Sequence, residues 1–302
     1  MGLFRAGAIA AAALALAAQE PPPVTIRVDV QLVRMLVTVK DDMGRLVGGL
    51  EKHEFAITDN GVPQEAAVFE RQTTQPLSAA LLVDTSGSTA NEARYETGSV
   101  RRFLKSLFAE GHPKDSAALF GFNDEVTLLA PYTRNMGRLE RGLGGLRGRG
   151  ATALYDAIYL AADEMEHRDG RRVMIVVSDG GDTFSRTTFQ QALEMLHRAN
   201  AVLYSVLVIP VKGEAGRNLR GENSLITLSQ WTGGKVFYPT PGLELDRVFQ
   251  EILKDLRTQY LLAYYPRHVP PSKDRFHRVQ VQVARPRHSV SARNGYYSAA
   301  VP

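Results

Sequence analysis

Residues 79–88 read Ala79-Ala80-Leu81-Leu82-Val83-Asp84-Thr85-Ser86-Gly87-Ser88. Five apolar residues run without a break and then give way to polar ones. An unbroken apolar run of this length suits a strand covered on both faces, the habit of parallel sheets. The Asp-x-Ser-x-Ser that follows falls where such a strand hands over to its helix. In open α/β sheets, ligands bind at the carboxyl ends of the strands.

Outward from this stretch, the same alternation fills residues 77–257. Further apolar runs stand at Ala117-Ala118-Leu119-Phe120, Val173-Met174-Ile175-Val176-Val177 and residues 203–209. Amphipathic helices lie between them. Val100, Phe103, Leu104, Leu107 and Phe108 fit the i, i+3, i+4, i+7, i+8 template, as do Leu245, Val248, Phe249, Ile252, Leu253 and Leu256. Alternating strands and helices make a doubly wound, mainly parallel, six-stranded Rossmann-like sheet. Phe122-Asn123-Asp124-Glu125-Val126 reads as a tight hairpin that adds one antiparallel strand.

Both flanks read as strands. Val28, Val30 and Leu32 alternate, the phase slips by one, and Val33, Met35, Val37 and Val39 continue. Such a slip marks a bulge or a strand buried on both faces. Asp41-Asp42-Met43-Gly44 and Asp59-Asn60-Gly61 are turns, the second a strong hairpin signal. Val279, Val281 and Val283 alternate with Gln280 and Gln282. Each flank would make only a marginal domain alone, without a partner for its apolar face. The expected architecture is therefore an α/β domain over 75–257 inserted in a small β-sandwich, built from segments 24–72 and 258–298.

Two more polar clusters stand at the sheet edge that carries Asp84. Thr152 opens a helix after Gly150-Ala151, and Asp179 follows the run ending at Val177. Asp84, Ser86, Ser88, Thr152 and Asp179 offer only oxygen donors, which suits Mg²⁺ (or Mn²⁺ or Ca²⁺) and not zinc. With hydroxyls as direct ligands the cation stays under-neutralised and seeks an anionic ligand, such as a carboxylate from another protein. In these five positions the sequence resembles the von Willebrand factor A domain, whose metal-ion-dependent adhesion site has the form Asp-x-Ser-x-Ser…Thr…Asp. None of the five departs from the pattern. The flanks are also similar to a bacterial family of exported proteins related to that domain, in Asp42, Gly44 and Arg45, in Asp59-Asn60-Gly61 and in Arg293-Asn294-Gly295-Tyr296-Tyr297. The resemblance implies a Rossmann-like sheet, a divalent metal and protein recognition.

Around this set, Asp156 lies four residues after Thr152 on one helical face and is either behind the metal ligands or a solvated carboxylate. Asp182 reads as a turn residue. The glycine-rich stretch 142–150 lacks the Gly-Lys-Ser/Thr of a phosphate loop and reads as a lead-in to Thr152, with Arg147 and Arg149 placed to meet an acidic ligand. A metal-dependent hydrolase is the alternative, since a metal with an open position activates water. Against it, none of the seven His falls in the three loops and no Gly-x-Ser-x-Gly surrounds Ser86. A structural envelope protein with an idle metal site is the third reading.

Composition bounds the rest. The absence of Cys excludes disulfides, thiolate metal sites and thiol nucleophiles. A net charge of +4 makes no case for nucleic-acid binding. The charge is uneven: from Arg257 onward eight Lys or Arg stand against Asp274 alone. That basic tail reads as the solvated face of the last strands, or as a weak contact with an anionic surface. Residues 1–18 carry Arg5, an Ala/Leu run and the small-x-small Ala15-Leu16-Ala17 before Pro21-Pro22-Pro23. This is the plan of a cleaved export signal, too short to span a bilayer, and it places the protein in the periplasm or outside the cell.

Overall fold

A computed structural model describes residues 32–71, 74–86, 93–148, 150–208, 218–239, 244–270 and 272–298. The export signal, Val28, Val30, Ser88 and Arg149 lie outside the described residues.

The amino-terminal flank forms β1 (Val33–Lys40), β2 (Phe55–Asp59), β3 (Val62–Gln64) and β4 (Val68–Glu70). The β2–β3 hairpin turns at Asn60 and Gly61, which hold φ of 46° and 81°. Two successive positive φ values match the right-handed twist of the paired strands, hence Asn-Gly at this point. In the earlier turn the working residue is Asp41. Its Oδ1 accepts from the Met43 and Arg45 amides, and its Oδ2 from Arg45 Nε.

The middle of the chain alternates as expected. It runs β5 (Leu77–Asp84), α1 (Ala93–Glu110), β6 (Ser116–Phe122), β7 (Val126–Thr133), α2 (Met136–Leu143) and α3 (Leu154–Glu166). Then follow β8 (Arg171–Ser178), α4 (Phe189–Arg198), β9 (Ala201–Leu207), α5 (Leu219–Trp231), β10 (Val236–Phe237) and α6 (Glu244–Thr258). The six strands order as β10-β9-β8-β5-β6-β7. All neighbours are parallel except β6 and β7, which form the antiparallel hairpin. Every residue of β5, β6 and β9 is buried, because helices cover both faces. One face packs Phe103, Phe249 and Ile252 of α1 and α6, and the other packs Ile158, Leu196 and Leu225 of α3, α4 and α5.

The carboxy-terminal flank adds β11 (Tyr260–Tyr264), β12 (Phe276–Val283), β13 (Ser289–Ser291) and β14 (Gly295–Tyr297). The flanks interleave into two four-stranded sheets, β13-β1-β11-β4 and β14-β12-β2-β3. Between them lies a core of Met35, Val37, Ile57, Tyr260, Leu262, Tyr264 and Val279. The alternation slip before Val33 rests on Val28 and Val30 and so lies outside the described residues; β1 itself is buried on both faces over residues 35–39. β1 pairs with β11 and β13 with no shift of register, while Leu36 and Leu261 point away from the sandwich into the α1–α6 core.

Candidate functional site

Three loops leave the carboxyl edge of the parallel sheet and are tied together by hydrogen bonds. At the end of β5, Asp84 is buried; its Oδ1 accepts from the Ser86 amide at 2.9 Å and its Oδ2 from Ser178 Oγ at 2.6 Å. Ser178 ends β8, so this bond locks the first loop to the loop carrying Asp179. Burial pushes the Asp84 carboxyl up to about 6 against hydrogen bonds from Ser178 and Ser86, and nearby Asp179 adds to the rise. Thr85 donates through Oγ1 to Phe122 O at 3.0 Å, which fixes the loop against the β6–β7 hairpin. Asn123 in that hairpin accepts from the Ala153 amide at 2.6 Å, next to Thr152.

Thr152 is buried and clamped from the third side. Its amide donates to Thr183 Oγ1 at 3.0 Å, and its carbonyl accepts from the Thr183 and Phe184 amides. Asp179 accepts through Oδ1 from the Gly181 amide. The Asp179 loop reaches its place through Gly180, at φ 84°, whose carbonyl presses on Gly221 at the start of α5. A Cβ on Gly221 would sit 1.7 Å from that oxygen, so only glycine permits the approach.

Asp84, Ser86, Thr152 and Asp179 thus belong to one hydrogen-bonded loop cluster; Ser88 is outside the described residues. The donor set is hydroxyl and carboxylate oxygen, with no imidazole or thiolate in the loops. Among the described residues no group of three or more His, Asp or Glu is placed to hold a metal, in these loops or elsewhere, so any ligation here leans on the hydroxyls. A hard cation fits this chemistry. Both Asp84 oxygens already accept hydrogen bonds, which suits a carboxylate working from behind water while hydroxyls ligate directly.

Asp156 has other work. Its two oxygens accept from the Thr187 amide at 2.7 Å and the Arg186 amide at 3.1 Å. Burial opposes its ionisation, yet the bonds from Thr187 and Arg186 outweigh it and hold the carboxyl below its usual range. Asp182 Oδ1 accepts from the Leu154 amide at 2.9 Å, so it caps α3 from across the site. Arg147 folds onto its own turn, donating to Gly144 O at 2.7 Å and Leu146 O at 2.9 Å. It lines a cleft of about 530 Å³ that also presents Thr85, Asn123 and Glu125. Sequence reasoning missed Ser178, Asn123 and Thr183, which hold the cluster without belonging to its motif. The only signal was their place beside motif residues at strand ends.

Residues 79–182 match the family model of the von Willebrand factor type A domain. No curated protein matches the chain. Among solved structures, the pilus adhesin SpaC from Lactobacillus rhamnosus GG is similar with a TM-score of 0.51 and 11% identity, over 80% of this chain and 41% of SpaC. BatB from Bacteroides thetaiotaomicron gives a TM-score of 0.47 at 16% identity, covering 59% of this chain and 98% of BatB. The vWF domain of the type V pili tip protein Mfa5 from Porphyromonas gingivalis gives 0.48 at 13% identity, over 61% of this chain and 97% of that domain. Residues 79–182, which take in most of β5 and all of β6, β7 and β8 of the doubly wound sheet, are thus the part of the chain that matches a von Willebrand factor type A domain.

Proposed function

We propose that the chain is an exported, non-enzymatic binding module that captures an acidic group of a protein partner through a divalent cation. Asp84, Ser86, Ser88, Thr152 and Asp179 would hold Mg²⁺ (or Mn²⁺ or Ca²⁺). The observation that carries this reading is the hydrogen-bonded cluster that gathers Asp84, Ser86, Thr152 and Asp179 at one sheet edge with oxygen donors alone. The bound cation supplies an electrostatic docking point for a carboxylate. The chain's own part is to pre-orient the loops: Ser178 holds Asp84, Thr183 holds Thr152, and Gly181 holds Asp179. The Ala/Leu run of residues 1–18 supports export to the periplasm or beyond. No helix among the described residues is long and apolar enough to cross a membrane.

The test is thermal unfolding with and without Mg²⁺, paired with capture of partners from envelope extract. A cation at a hundred times its Kd should stabilise the fold by about 2.7 kcal/mol. Asp84→Ala and Thr152→Val should each abolish that gain, and EDTA should release the captured partner. If Mg²⁺, Mn²⁺ and Ca²⁺ all leave the melting curve unmoved, the reading is wrong.

A further inference from the structure

A second cleft lies at the opposite edge of the sheet. β8 is eight residues long, so its amino end stands about 23 Å from the Asp179 loop. There the ends of α3 and α4, the start of β1 and the β14 segment enclose a cleft of about 490 Å³. Five arginines line it: Arg34, Arg172, Arg198, Arg275 and Arg293. Glu166 is the one carboxylate on the lining. Counting also Glu194, which pairs with Arg198 at 2.7 Å, Asp169, whose charge reaches Arg172, and Asp274, whose charge reaches Tyr297 on the lining, five arginines stand against four carboxylates. Arg34 and Arg172 are close enough for each to feel the other's charge.

Part of this set has a structural task. Arg172 donates to the carbonyls of Arg168 at 2.7 Å and Ala199 at 2.6 Å, and so closes the ends of α3 and α4. Arg34 donates to Gln75. That leaves Arg275 and Arg293. Arg275 is exposed, and its guanidinium has no ion pair or hydrogen bond among the described residues. Arg293 is only 9% exposed and has no carboxylate partner among the described residues. Its Nη1 donates to the neutral Asn200 Oδ1 at 2.7 Å, and its Nε is buried without a hydrogen-bond partner among the described residues. His197, 3% exposed, lies beside it with Nε2 equally unpartnered.

A buried guanidinium is expensive unless a negative charge compensates it. Here cations outnumber carboxylates around Arg293, no carboxylate among the described residues pairs with it, and the space beside it is open. Planar guanidinium forks match the oxygens of phosphate in a bidentate manner. The volume is larger than a bare ion requires and falls in the range of small-molecule sites, which run from about 300 to 1,000 Å³. We propose that this cleft binds a small molecule through a phosphate-type oxyanion. The site is independent of the metal loops and draws two of its arginines, Arg275 and Arg293, from the basic carboxy-terminal segment.

Isothermal titration of the full chain with inorganic pyrophosphate tests this, in low salt and with EDTA present so that no signal comes through the metal loops. Pyrophosphate should bind and raise the melting temperature, and binding should weaken as salt is added. Arg275→Glu, at an exposed position, should weaken binding about tenfold or more while the unliganded protein melts as before. Arg293→Met should abolish binding. No binding at millimolar pyrophosphate, or equal binding by Arg275→Glu, would overturn the proposal. Citrate binding as tightly as pyrophosphate would overturn the phosphate assignment.

Discussion

Asp59 sits with no exposed surface at the end of β2, and its neighbours explain why it is tolerated there. Its Oδ2 accepts from Tyr264 at 2.8 Å and Tyr296 at 2.9 Å, and Oδ1 lies 3.3 Å from His277 Nδ1. One carboxylate thereby ties β2, β11, β12 and β14 together. Asp59→Ala would strand two buried hydroxyls, so a loss of about 3 kcal/mol or more is expected in urea unfolding. His197 gives the acid limb of stability. Burial first, and the charge of Arg293 second, pull its imidazole from 6.5 down to about 3. The unfolded chain takes up this proton below 6.5, whereas the folded chain refuses it until near 3. Stability is therefore whole above 6.5 and drains as pH falls, by up to about 1.4 kcal/mol per pH unit. His197→Phe keeps a ring against Phe276 and removes the titration. Its melting temperature should fall less than the parent's between neutral pH and pH 4; parallel curves would show that other groups set the limb.

Among the elements, α3 has an unusual start. Its N-cap is Ala153, which has no side chain to offer the free amides. Asp182 supplies that oxygen from another loop, while Asp156 in the first turn of α3 grips the amides of Arg186 and Thr187. The helix start and the loop therefore clamp each other, with Thr152 on one side and Asp179 on the other. Asp182→Ala should cost about 1 kcal/mol, the usual value of a cap. It should also weaken the proposed Mg²⁺ binding, measured as a smaller melting shift on adding Mg²⁺ than the parent gives. Asp182→Asn keeps an acceptor and should restore most of both. The same scale shows what sequence reading can reach. The runs in β5, β6, β8 and β9 were readable because strands buried on both faces must be apolar throughout. β10 has two residues, and α2 contains two glycines, so neither carries a periodic signal. The loop positions of Asp84 and Asp179 were readable because each comes at the end of an apolar strand, and that of Thr152 because it precedes a helix. Ser178, Asn123 and Thr183 were not, since any strand end carries such residues as turns. The arginine cleft was invisible: its members are scattered from Arg34 to Arg293 and meet only through the fold.

In the whole molecule, β1 and β11 belong to two cores at once. Met35, Val37, Leu262 and Tyr264 fill the sandwich, while Leu36 and Leu261 fill the layer with α1 and α6. Lys40 of β1 reaches Asp255 of α6 at 3.5 Å. Asn294, ahead of β14, donates its amide to Trp231 O in α5. The sheet of the flanks is thus a wall common to both layers, and neither layer can lose it without exposing apolar surface. The expected consequence is a single unfolding transition, with the calorimetric enthalpy equal to the van't Hoff value. Leu36→Ala and Leu261→Ala each delete a buried side chain and should cost about 3 kcal/mol. Although both residues lie in flanking strands, each should lower the one transition as a whole. Two resolved transitions, with only one moved by Leu36→Ala, would instead show that the sandwich and the α/β layer melt independently across that wall.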